Sequence, residues 1–125
     1  MTIELGSTFL GGEPEHLWFV ISDTKHDEQL VLFVNMTSHS IYEDPACLLN
    51  PGDHPFVKHR SYINYAEARV SPKLHLIEAV EKGLLNPHRP ASDELILRIQ
   101  KGLLQSELAL IEHQRLLESQ GFGST

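Results

Sequence analysis

Two apolar runs dominate the first third of the chain: residues 16–22 (His-Leu-Trp-Phe-Val-Ile-Ser) and 29–35 (Gln-Leu-Val-Leu-Phe-Val-Asn). Both are short and rich in β-branched and aromatic side chains, a pattern that predicts buried strands. The six polar residues between them, Asp23 to Glu28, suit a hairpin loop better than a crossover helix, so the two strands should be antiparallel neighbours. Thr37 to Asp44 is polar and reads as a loop, and Cys47 to Leu49 as a short strand. Asn50-Pro-Gly-Asp53 reads as a tight turn, because Pro presets φ and Gly accepts positive φ. Phe56-Val57 and Ser61 to Val70 supply further strand material. Many short strands joined by tight turns predict a small barrel or bent sheet over residues 1–70.

From residue 71 the period changes. Ser71-Pro72 pairs an N-cap hydroxyl with a proline suited to the first helical position, and Leu74, Ile77 and Val80 form one face before Gly83 ends the helix. Asn86-Pro-His-Arg-Pro-Ala91 reads as a rigid connector. Ser92 then caps a longer helix, with Asp93 and Glu94 at the positive end of its dipole. Its apolar positions, Leu95 through Ile111, carry it to about Glu118. They cover more than one face, which predicts packing on the barrel and on a second copy. Gly102, within this helix, marks a close approach or a kink. The expected architecture is one mainly β domain over 1–125, with a short and a longer helix in 71–120 and a frayed tail from Gly121.

Composition adds limits. A chain of 125 residues, 41% hydrophobic and 22% charged, can bury one core without metals or disulfides. Its lone Cys47 has no internal partner and reads as a small buried hydrophobe, while Trp18, Phe19 and Phe33 read as core. The N-terminus lacks an export pattern, so the expected compartment is cytoplasmic, without membrane attachment. The net charge of −7 argues against duplex DNA, whose binders carry a broad basic footprint.

The charge is unevenly placed, and this is where chemistry enters. Between His54 and Lys73 four cations (Lys58, Arg60, Arg69, Lys73) face one carboxylate, Glu67. Within it, His54 to Tyr65 gathers two imidazoles, two cations and two tyrosine hydroxyls, a candidate phosphate-handling segment. Metal binding by His54 and His59 is disfavoured: Pro55 argues against the helix that would align them, and no third ligand beyond Asp53 is near. No cofactor or metal is expected.

Several stations along the chain resemble the PemK/MazF-like toxin family. The run at 16–22 stands where that family has Arg-Pro followed by an apolar strand ending in Ser. Leu-Phe-Val-Asn-Met-Thr-Ser at 32–38 resembles its second strand, which ends in Thr-Ser at the active-site rim. Arg-Ser-Tyr-Ile-Asn-Tyr-Ala-Glu-Ala-Arg-Val-Ser at 60–71 resembles its Ser-containing strand leading into a helix. The resemblance implies an SH3-like (PemK/MazF/CcdB-like) β-barrel with C-terminal helices. It also implies a homodimeric endoribonuclease that cuts single-stranded RNA without metal and is neutralised by a cognate antitoxin protein.

Such chemistry requires a base for the ribose 2′-hydroxyl, an acid for the leaving 5′-oxygen and a cation for the developing negative charge. His54 and His59 are the candidate base and acid. Arg60 or Lys58 would hold the phosphate, and Thr37, Ser38 and Ser61 would furnish hydroxyls at the rim. Tyr62 or Tyr65 would stack on a base, and His16 stands where the family has its Arg. A guanidinium offers a planar fork that imidazole lacks, and the His54-Pro55-Phe56 insert has no counterpart among the family's catalytic residues. A second reading, a non-catalytic module that docks on a protein through its acidic surface and long helix, stands beside the first.

Overall fold

The computed structural model describes residues 3–24, 30–38 and 43–121. Segments 25–29, 39–42 and 122–125, which hold most of the expected hairpin and rim loops and the tail, lie outside the described residues. Among the described residues six strands form one antiparallel sheet: β1 (Thr8–Gly11), β2 (His16–Val20), β3 (Leu30–Ser38), β4 (Leu48–Leu49), β5 (Ser61–Pro72) and β6 (Leu85–His88). The spatial order is β4-β5-β3-β2-β1-β6, so β4 and β6 are the edges of an open sheet. β2 and β3 pair antiparallel as expected, with Leu17 opposite Met36 and Phe19 opposite Val34. The fold is thus mainly β, with three helices among the described residues, α1 (Lys73–Glu81), α2 (Asp93–Gln105) and α3 (Ile111–Ser119).

Strand alternation sends apolar side chains to both faces, and each face has its own cover. On one, Leu17, Phe19, Val34, Met36 and Ile63 meet Leu95, Ile96, Ile99 and Leu103 of α2 and Leu117 of α3. Burying the four α2 residues contributes about 6–12 kcal/mol before conformational entropy is charged against it. On the other face, Phe9, Val20 and Val31 join Ile3 and Leu76 of α1. Between them the longest strand is bent: Tyr65, Ala66, Glu67 and Ala68 of β5 stand opposite Val34 alone, an enlarged bulge that re-aims the side chains around it.

Five local features differ from the sequence-based expectation. β1 and β6 carried no strand pattern, yet they pair with each other from Thr8–His88 to Gly11–Leu85. Pro87 is tolerated because β6 is an edge. Phe56-Val57 is not a strand; it lies in a turn closed by the Val57 N–H on the His54 carbonyl. Thr37 and Ser38 belong to β3 rather than to a loop. Ser71 does not cap α1, because it remains in the β3–β5 ladder opposite Val31 and the cap position falls on Pro72.

The long C-terminal helix is two helices. Ser106 adopts an extended conformation after α2, donates its hydroxyl to Asp44 Oδ2 at 2.6 Å and accepts from the Leu108 N–H at 3.1 Å. Gln114 Nε2 donates to the Leu103 carbonyl at 2.9 Å, satisfying an end of α2 that would otherwise be bare. At its start, α2 is capped as expected, with Ser92 Oγ accepting from the Leu95 N–H at 3.1 Å.

Candidate functional site

The Asn50–Asp53 turn launches the segment that carries the candidate residues. Arg98 of α2 donates to Asp53 Oδ1 at 3.0 Å and to the Leu48 carbonyl at 2.8 Å, tying the turn to the helix. Partial burial raises the Asp53 carboxyl pKa, but the Asn50 N–H and the Arg98 guanidinium outweigh that and leave it below its ordinary value.

His54 comes next and is buried, 4% exposed. Its Nδ1 accepts from the Phe56 N–H at 3.1 Å and its Nε2–H donates to the Arg89 carbonyl at 2.7 Å. Both bonds together assign the neutral Nε2–H tautomer and occupy both nitrogens. The Thr8 hydroxyl donates to the same carbonyl at 2.8 Å, and the His54 ring meets Phe19 edge-on at 5.9 Å. The candidate acid–base role of His54 therefore gives way to a clip: it fastens the 50–60 segment to the connector before α2. Held this way, the segment presents Phe56, Lys58 and His59 to the mouth of β2 and β3.

There the structure brings together a cleft of about 370 Å³, lined by Glu15 and His16, Met36, Thr37 and Ser38, and Phe56, Lys58, His59 and Ser61. His59 Nε2 lies 2.9 Å from Ser38 Oγ, and the Ser61 hydroxyl donates to the His59 carbonyl at 3.0 Å. Ser38 and Ser61 are cross-strand partners at the last rung of the β3–β5 ladder, so the sheet itself fixes the imidazole. His16 opens β2 and also lines the cleft, with its ring edge-on to Trp18 at 6.5 Å.

Six sequence-predicted residues thus meet in one place: His16, Thr37, Ser38, Lys58, His59 and Ser61. Four do not. Besides His54, Arg60 ion-pairs with Glu43 at 2.9 Å and is absent from the cleft lining. Tyr62 is 7% exposed, and alternation sets it on the opposite face of β5 from Ile63. Tyr65 is fully buried and donates its hydroxyl to the Ile99 carbonyl at 2.6 Å. Neither tyrosine offers a ring face to a nucleobase. Phe56 does line the cleft, half-buried and edge-on to His88 at 5.5 Å; its sequence neighbourhood had pointed to a strand. Glu15 was also missed, because it lies in a turn with no chemical signature.

Cys47 is buried, and desolvation pushes its thiol above its ordinary value despite the nearby Arg98 charge, as expected of a packing residue. Among the described residues no group of three or more His, Cys, Asp or Glu side chains is placed to hold a metal ion, and no helix is long and apolar enough to cross a membrane. The chain matches no protein-family model and no curated protein sequence.

Proposed function

We propose that the protein is a toxin-like endoribonuclease that cuts single-stranded RNA at the Ser38–His59 cleft. The observation that carries this reading is one open cleft lined by two histidines, a lysine, a threonine and two serines, with His59 held against Ser38. With His54 committed elsewhere, the acid–base pair becomes His59 and His16. One imidazole takes the proton of a ribose 2′-hydroxyl as that oxygen attacks phosphorus. The other gives a proton to the departing 5′-oxygen, leaving a 2′,3′-cyclic phosphate and a free 5′-hydroxyl. Lys58 offsets the charge on the phosphoryl oxygens, Ser38 orients His59, and Phe56 supplies the apolar surface for a base. This chemistry calls for no metal or cofactor. On this reading the bent sheet is a divergent SH3-like, PemK/MazF-like barrel in a cytoplasmic homodimer, held inactive by an antitoxin protein.

The test is cleavage of a mixed-sequence single-stranded RNA in EDTA by the wild type, His59→Ala and His16→Ala, each checked for folding by circular dichroism. Loss of about 10²–10⁴-fold in either variant, with cyclic-phosphate ends in the wild-type product, is expected. Intact RNA with wild type, or cutting that survives both substitutions, refutes the reading.

One observation favours the non-catalytic alternative. Leu108, Leu110 and Ile111 are 50–64% exposed at the junction of α2 and α3, more apolar surface than the RNA chemistry explains. A protein-binding module would keep its partner after His59→Ala and lose it after Leu110→Glu with Ile111→Lys.

A further inference from the structure

The face of the sheet opposite the α2 core carries a second pocket, about 340 Å³, which shares no residue with the Ser38–His59 cleft. Trp18 and Phe33, edge-on at 5.3 Å, form its aromatic wall, and Leu84, 67% exposed, forms an apolar lip. Three polar side chains converge on it: Arg69 and Ser71, two apart on β5 and so on one face, and His75 from the first turn of α1. The Arg69 guanidinium sits over the Trp18 ring at 5.2 Å. Among the described residues Arg69 makes no ion pair, and no Asp or Glu lines this pocket. α1 also begins without a side-chain cap and with no acidic residue in its first turn, leaving its positive end bare beside Ser71 and His75.

An apolar wall with a few convergent polar groups is the form of a small-molecule site, and among the described residues the Arg69 guanidinium is its charged group. We infer that this pocket binds a small amphipathic carboxylate, its aromatic or branched apolar body against Phe33 and Leu84 and its carboxylate on Arg69 and Ser71. The guanidinium, already stacked on Trp18, needs little ordering to accept a carboxylate bidentately. The site is separate from the RNA cleft and does not depend on the function assigned there.

Trp18 is the chain's one tryptophan, so its emission reports on the pocket directly. The probes are 3-phenylpropionate and the isosteric uncharged 3-phenylpropanamide, titrated into the full chain. Saturable change in Trp18 emission is expected, with the acid binding about tenfold tighter than the amide, the size of one charge-assisted pairing. Arg69→Gln should erase that preference while leaving the amide's affinity, Arg69→Lys should keep part of it, and Ala79→Phe, which fills the pocket, should abolish both. The inference is overturned by no saturable change, equal affinity for acid and amide, a preference that persists in Arg69→Gln, or binding undiminished in Ala79→Phe. An emission that shifts on dilution without ligand would identify a second copy as the occupant and overturn it equally.

Discussion

Gly102 offers a test in which two physical effects of opposite sign compete. In an open helical position Gly→Ala stabilises by about 1 kcal/mol, because Ala loses less backbone freedom. Gly102 lies inside α2, but a Cβ there would land on the Tyr65 hydroxyl, 3.0 Å from Tyr65 Cζ and 3.1 Å from the Ala46 carbonyl oxygen. The hydroxyl cannot simply turn aside, since it donates to Ile99 at 2.6 Å within a fully buried core. Overpacking costs about 1–3 kcal/mol and a weakened buried hydrogen bond about 1 kcal/mol more. Set against the helical gain, the net loss is about 1–3 kcal/mol. For a chain of this size that lowers Tm by roughly 4–12 °C. Urea unfolding of wild type, Gly102→Ala, Tyr65→Phe and the double variant, followed by far-ultraviolet circular dichroism, measures both the loss and its origin. Removing the hydroxyl should relieve part of the clash, so Gly102→Ala should cost about 1 kcal/mol less in the Tyr65→Phe background. A urea midpoint that rises in Gly102→Ala, or no coupling between the sites, would refute the reasoning.

Two other expectations follow from the same core and the same segment. His54→Ala should destabilise by about 2–4 kcal/mol, through a cavity and an unpaired Phe56 N–H, and under the proposed ribonuclease reading should cost cleavage less than tenfold; unchanged stability would sink the clip assignment. Stability should also fall in alkali. Burial raises both the Cys47 thiol and the Tyr65 phenol above their ordinary values of 9.0 and 10.0. Groups raised in the folded state contribute their full stabilisation below the unfolded values and lose it as pH climbs toward the folded ones. Urea midpoints should hold to about pH 8.5 and then decline, each group adding a slope of up to about 1.4 kcal/mol per pH unit, and Cys47→Ala should delay the decline. A flat profile to pH 11 would contradict it.

What the sequence determined by itself is what local pattern can encode. The apolar runs at 16–22 and 29–35 specify strands because side-chain alternation and β-branching act within a few residues. Ser92 with Asp93 and Glu94 specifies a helix start for the same reason. It also marked the segment from His54 to Tyr65 and the Thr37-Ser38 pair as one chemical neighbourhood, half of which meets in the cleft. Tertiary structure decided which half. His54 and His59 are five positions apart and alike in sequence, but the Arg89 carbonyl takes the first into the core and the Ser38 hydroxyl holds the second at the surface. Tyr65 differs from a surface tyrosine only because the β5 bulge turns it toward Gly102 and Ile99. The break at Ser106 depends on Asp44, 62 residues away, and β6 exists because β1 offers it an edge. In each case the deciding partner is distant along the chain, and buried hydrogen bonds there outweigh the local preferences that a sequence displays.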